Sequence, residues 1–248
     1  MRRIALLMVA MAACDSSSSA PPPPGPNDPP DDPTPTAQPA KEGTAVLRGL
    51  ARFEGVHKPS LLPIQPECHH EGNAFSESIL VNADKTLRNV LVYVKKGLDG
   101  KYEPPQTPGW IDQQKCIYTP HVQVVMVGQP FKFINSDDLL HNVRITAKRN
   151  PSTNFSMTRG ERMIDPFRFS EININVNCDV HSWMGARIHV MRHPKYSLTG
   201  DGGTFEIKGL PAGKYTLAAF HEELGEQTRE VELSDGQDLS GLEFEFKK

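Results

Sequence analysis

The chain has 248 residues, with 27 lysines and arginines against 30 aspartates and glutamates and a formal net charge of -3 at pH 7. That length permits one or two domains with real cores, and the charge balance excludes a basic face for nucleic acid or a polybasic membrane patch. Only 38% of residues are hydrophobic and 22 are prolines, which predicts an unfolded fraction beside a globular one.

Arg2 and Arg3 precede an apolar run over residues 4–13. The run is shorter than the ~20 residues that span a bilayer as a helix, so it reads as an export signal. Met11, Ala12, Ala13 and Cys14 resemble a bacterial lipobox, with Met11 in the place more often held by Leu. On that resemblance residues 1–13 are a lipoprotein signal peptide and Cys14 is acylated as the mature N-terminus. The alternative is ordinary cleavage after Ala13, with Cys14 a bystander. The lipoprotein expectation puts the chain outside the cytoplasm, on the periplasmic or cell-surface side, anchored to a membrane by lipid. Residues 14–43 follow as a serine- and proline-rich linker. Prolines lack the backbone donor and fix φ, so this stretch is expected to be a disordered tether, ~3 Å per residue where extended.

From Thr44 onward the hydrophobic period is two. Leu47, Gly49, Ala51 and Phe53 alternate with Arg48, Arg52 and Glu54, and Val90, Val92 and Val94 lead to Lys95 and Lys96. Residues 121–127 and 129–135 form two further runs around Gly128, with Phe131 and Phe133 on one face. Runs over 142–146, 168–176, 185–191, 203–208, 214–220, 229–233 and 242–246 continue the pattern. Short β-branched and aromatic runs separated by Gly, Pro and Asp predict an all-β protein of one or two sandwiches. Residues 222–227 could make a single turn.

Residues 199–219 place a glycine-rich turn, a short strand, a second turn (Gly209 to Gly213) and a strand with Tyr215, Leu217 and Ala219 on one face, which is a hairpin. This stretch resembles the carboxypeptidase regulatory-like, transthyretin-like β-sandwich module, which speaks for fold and not for activity. Residues 196–248 are assigned to it. Residues 44–55 and 87–97 resemble its early strands, so that the segment between about 111 and 195 would be inserted into it; two consecutive sandwiches are the alternative.

Three metal donors lie close together at Cys178, His181 and Met184, in the spacing C-x2-H-x2-M. Along Ile172, Ile174, Val176 and Cys178, alternation predicts a thiol delivered on the core face of a strand. A thiolate, imidazoles and a thioether suit a mononuclear copper site, and methionine argues against zinc. The second imidazole is His141, which follows Asn135 and a polar turn and precedes Asn142 and Val143.

These two segments resemble the ligand segments of type 1 (blue) copper cupredoxins of the plastocyanin and amicyanin type, over about residues 111–195. The resemblance implies one copper ion on His141, Cys178, His181 and Met184, with Asn142 tying the two ligand loops together behind them. Trp183 departs from the small or proline fill of many relatives and is read as a docking contact or a cover over the metal. The fold expected on this basis is a cupredoxin Greek-key sandwich plus a transthyretin-like sandwich, with residues 44–110 belonging to the latter or to the N-terminal part of the former.

With Cys14 assigned to lipid and Cys178 to copper, Cys68 and Cys116 remain. An oxidising compartment predicts that they form a disulfide. A metal site at Cys68, His69 and His70 competes, but adjacent imidazoles rarely converge on one ion. His121 is read as a surface strand residue or a group behind the ligands; His57, His189, His193 and His221 have no ligand spacing. The H-x-H, H-E-x-x-H and G-x-S-x-G patterns are absent. The expected function is single-electron transfer between redox partner proteins, not catalysis. A surface or binding protein with a structural metal is the alternative.

Overall fold

The computed structural model describes residues 38–68 and 71–248. The signal peptide, Cys14, the linker up to residue 37 and the pair His69 and His70 lie outside the described residues. Residues 38–43, read as the end of a disordered linker, are instead tied down. Ala40 N–H donates to the Lys101 carbonyl at 3.1 Å, and Gly43 N–H to that of Gly209 at 3.2 Å. Unlike the prolines around them, Ala40 and Gly43 keep a backbone donor, and both find an acceptor.

Among the described residues there is no α-helix, only a turn of 3-10 helix at Pro66–Cys68. The strands are, in order, β1 (Ala45–Glu54) and β2 (Leu91–Lys96), then β3 (Gly109–Gln114), β4 (Ile117–Thr119), β5 (Val122–Met126) and β6 (Phe131–Asn135). There follow β7 (His141–Thr146), β8 (Thr153–Met157), β9 (Gly160–Ile164), β10 (Glu171–Asn177) and β11 (Gly185–Met191). The last are β12 (Tyr196–Leu198), β13 (Thr204–Leu210), β14 (Gly213–His221), β15 (Gly225–Leu233) and β16 (Asp238–Lys247).

β1 sits between β13, antiparallel, and β16, parallel. This three-stranded sheet packs its alternate apolar residues, such as Leu47, Phe53, Phe205 and Phe244, against Val92, Val94 and Leu217 of a second sheet ordered β12-β2-β14-β15. Gly49 is required by that packing, since a Cβ there would come within 2.1 Å of the Leu242 carbonyl oxygen. Of residues 222–227, expected as a single turn, only 222–224 form one, between β14 and β15, and 225–227 belong to β15.

Strands β3 to β11 build two other sheets, ordered β5-β11-β10-β7-β8 and β4-β3-β6-β9. Their shared core contains Tyr118, Phe131, Phe133, Ile145, Ile174 and Ile188. Strands on both sides of this segment therefore share sheets with one another. β3 begins at Gly109, slightly before the boundary at 111, and Cys68 and Ile64 from the 44–110 segment also pack into this core.

A third apolar cluster, with Leu91, Tyr93, Met191 and Ala218 at its centre, covers the outer face of β2 and β14. β2 is thus buried on both faces, which explains its unbroken apolar run instead of strict alternation. Ile172 packs into this third cluster and not beside Ile174. The register of β10 against β11 shifts between Glu171 and Ile174, and Asn173 sits at a φ of 67°. That bulge breaks the parity expected for Ile172, while Ile174, Val176 and Cys178 keep it and are buried.

Candidate metal centre

The turn from β6 into β7 is built by a buried asparagine. Asn135 donates through Nδ2 to the carbonyls of Leu139 and Met157, both at 3.0 Å, and its Oδ1 accepts from Asp137 N–H at 3.0 Å. A side chain satisfied at both ends fixes the turn and delivers His141 as the first residue of β7. The remote ring nitrogen of His141, Nε2, lies 2.8 Å from Asp137 Oδ2. Its Nδ1 is thereby aimed inward, 3.0 Å from Nδ1 of His181.

Cys178 follows the last residue of β10, and the loop after it closes on itself. Cys178 N–H donates to the Met184 carbonyl at 3.3 Å and Met184 N–H to that of His181 at 2.9 Å. The sulfur of Cys178 accepts N–H groups from Asn142 at 3.5 Å and His181 at 3.4 Å. Sγ of Cys178 lies 3.9 Å from His181 Nδ1. Asn142 joins the two loops, accepting Asp179 N–H on its Oδ1 at 2.6 Å. Tyr118 clamps the same corner by donating to the Asn142 carbonyl at 2.6 Å.

His141, Cys178 and His181 are all buried, and their donor atoms lie within 4.8 Å of one another. Met184 is 1% exposed and belongs to the same core cluster as Cys178. The surroundings of the thiol favour its ionised form. Burial opposes ionisation of Cys178, but hydrogen bonds from His141 and from the amides of Asn142, His181 and Val180 outweigh it and hold its pKa below the ordinary thiol value. Burial likewise works against the charged form of His141, yet Cys178 and Asp137 raise it overall. His181 is lowered by burial and then by the neighbouring His141. The donor set, two buried imidazoles and a buried thiol whose pKa is lowered, fits a soft-to-borderline metal ion such as copper.

The outer side of His181 is covered. Cys68 and Cys116 form a disulfide with Cα atoms 5.5 Å apart, and Cys116 Sγ stands 3.9 Å from His181 Nε2. Trp183 is half-buried, its ring centroid 5.2 Å from that of His181. Its indole N–H donates to the Cys116 carbonyl at 3.0 Å. His181 is consequently only 5% exposed.

Two groups around the site carry no spacing signal in the sequence. Asp137 serves His141 and also accepts N–H groups from Lys115 at 2.6 Å and Cys116 at 2.9 Å. Glu222, at the end of β14, pairs with Arg187 at 2.8 Å and with His121 Nε2, while His121 Nδ1 donates to the Gly185 carbonyl at 3.1 Å. His121 is therefore half-buried beside the residue that follows Met184. His189, His193 and His221 instead bond backbone groups: His189 Nδ1 accepts Asn173 N–H at 3.0 Å, His193 Nε2 donates to the Val94 carbonyl at 2.9 Å, and His221 Nδ1 accepts Glu223 N–H at 3.2 Å. An unpatterned Asp or Glu is indistinguishable from a surface charge until the turn that carries it is known.

No protein-family model matches the chain, and no curated protein sequence matches it. Among solved structures, the chain is similar to the Cu-containing nitrite reductase NirK from Thermus scotoductus SA-01, at 21% identity and a TM-score of 0.31, over 41% of this chain and 25% of that one. It is similar to amicyanin from Paracoccus versutus at 16% identity and a TM-score of 0.31, over 40% of this chain and 96% of the other. A reduced Cu(I) form of an amicyanin variant at pH 4 gives 18% identity and a TM-score of 0.30, over 40% and 97%. The chain thus spans a quarter of the length of the nitrite reductase it matches.

Proposed function

We propose that this protein binds one copper ion at His141, Cys178, His181 and Met184 and carries single electrons between partner proteins at the cell envelope. The observation that carries this reading is the convergence of three buried donors, two imidazoles and a thiol, at the junction of two loops. Copper bound there supplies a one-electron couple. The chain's own part is rigidity. Asp137 fixes the ring of His141, two backbone amides hold charge on the Cys178 sulfur, and Asn142 locks one loop to the other. None of the four proposed ligands is more than 5% exposed, so an ion among them meets protein donors and no substrate, which supports electron carriage over catalysis. Export and a lipid anchor at Cys14 belong to the same proposal, and so does docking near Trp183.

One observation favours a second reading. The Nε2 edge of His181 lies under the disulfide and Trp183, a cover that suits a retained, structural ion.

The test is spectroscopic. Loading with Cu(II) is expected to give an intense visible thiolate-to-copper band that bleaches on reduction and returns on oxidation, and Cys178→Ser is expected to abolish it. A colourless copper complex, or tighter binding of zinc, would refute electron carriage. A coloured complex that does not cycle would favour the structural ion.

A further inference from the structure

We propose that Cys68 and Cys116, once reduced, form a second metal site, which takes Cu(I), on the outer side of His181. The donor atoms of Cys68, Cys116 and His181 lie within 4.8 Å of one another, and all three residues are buried. His181 faces a sulfur with each ring nitrogen: Nδ1 is 3.9 Å from Cys178 and Nε2 is 3.9 Å from Cys116. Trp183 closes one side by its bond to the Cys116 carbonyl. Soft thiolates in an apolar pocket select Cu(I) over harder ions. Two thiolates satisfy that ion, and Nε2 becomes a third donor when Nδ1 is not engaged, since a neutral imidazole has one free lone pair.

The step balances with a dithiol reductant of the thioredoxin class. The reductant supplies two electrons and two protons, the S–S bond breaks, two S–H bonds form, and the reductant closes its own disulfide. Cu(I) then displaces both protons and two S–Cu bonds form. The segment that carries Cys68 can admit a reductant. Pro59, Leu61 and Pro63 are exposed, and the stretch is held by sparse backbone bonds such as Leu62 N–H to Ala74 and Ser76 N–H to Ser60. Thin pairing of this kind opens at low cost. This inference goes beyond the copper centre proposed above and does not use Cys178.

The test uses the full chain carrying Cys178→Ser. It is reduced anaerobically with a phosphine, freed of it, and titrated with Cu(I) against a chromophoric Cu(I) chelator. The reduced chain is expected to take up one Cu(I) more than the oxidised chain. That ion is expected to protect Cys68 and Cys116 from iodoacetamide, read peptide by peptide in a mass spectrometer. Adding His181→Ala is expected to weaken the extra Cu(I) at least tenfold, which adventitious binding by loose thiols would not show. Equal uptake by reduced and oxidised chains, unprotected cysteines, or unchanged affinity without His181 would each overturn the proposal. Failure of the Cys178 centre would appear separately, as a missing visible band in the oxidised wild-type chain.

Discussion

Asp137→Ala separates what holds the candidate centre from what binds in it. The carboxylate accepts two backbone amides, Lys115 at 2.6 Å and Cys116 at 2.9 Å, and meets His141 Nε2 at 2.8 Å. Lys115 and Cys116 stand at φ values of 53° and 54°, left-handed conformations that cost L-residues roughly 1–2 kcal/mol each. The two charge-assisted bonds, at about 1.5–3 kcal/mol each, offset that cost. Water can re-solvate the exposed Lys115 amide in the variant, but serves the part-buried Cys116 amide less well. The expected loss of stability for the metal-free chain is therefore about 2–4 kcal/mol. His141 keeps its place on β7 but loses the group that fixes its ring, so copper affinity is expected to fall 10–100-fold. Urea unfolding of the metal-free chain and competitive copper titration measure the two effects. A stability loss below about 1 kcal/mol together with wild-type affinity would refute the role assigned to the carboxylate.

Breaking the disulfide by Cys68→Ser opens a loop with a sequence separation of 48 and is expected to destabilise the oxidised chain by about 4 kcal/mol on the chain-entropy model, seen as a lower urea midpoint. Glu171 is buried and accepts N–H groups from Lys148, Arg149 and Asn150 at 2.5, 3.0 and 3.0 Å. Glu171→Gln points an amide N–H2 at those donors and is expected to cost about 2–4 kcal/mol, with copper affinity unchanged; an altered affinity would mean that the 148–150 turn communicates with the centre. Burial pushes His189 down to about 3 and His193 and His221 to about 4. The unfolded chain takes up these protons near 6.5 and the folded chain does not, so stability is full above that pH and falls as pH drops toward 4. The slope is up to roughly 1.4 kcal/mol per histidine per pH unit. Urea midpoints at pH 7 and pH 5 that coincide would contradict it.

The strands that bury one face were legible from alternation, as with Leu47, Ala51 and Phe53 in β1 or Phe131 and Phe133 in β6. Those that earn their place by backbone pairing were not. β9 exposes Gly160, Glu161, Arg162 and Met163 and is held to the edge of its sheet by its bonds to β6. β3 alternates, but Gln113 occupies a fully buried position that no hydropathy pattern marks. At the candidate centre, the thiol and imidazoles could be singled out because chemistry restricts which side chains bind copper. Asp137 could not, because its role depends on a turn closed by Asn135, and the cover over His181 depends on a crosslink between distant segments.

The parallel pairing of β1 with β16 has a consequence for the order of synthesis. Among the described strands β1 emerges first, yet both of its neighbours, β13 and β16, emerge after β3 to β11, and β2 waits for β12 and β14. Strands β3 to β11 find all their sheet partners among themselves. A chain made or threaded from its N-terminus can therefore assemble the ligand-bearing sheets while β1 and β2 are still unpaired. Strand β16 then acts as the latch, closing the sheet that β1 opens.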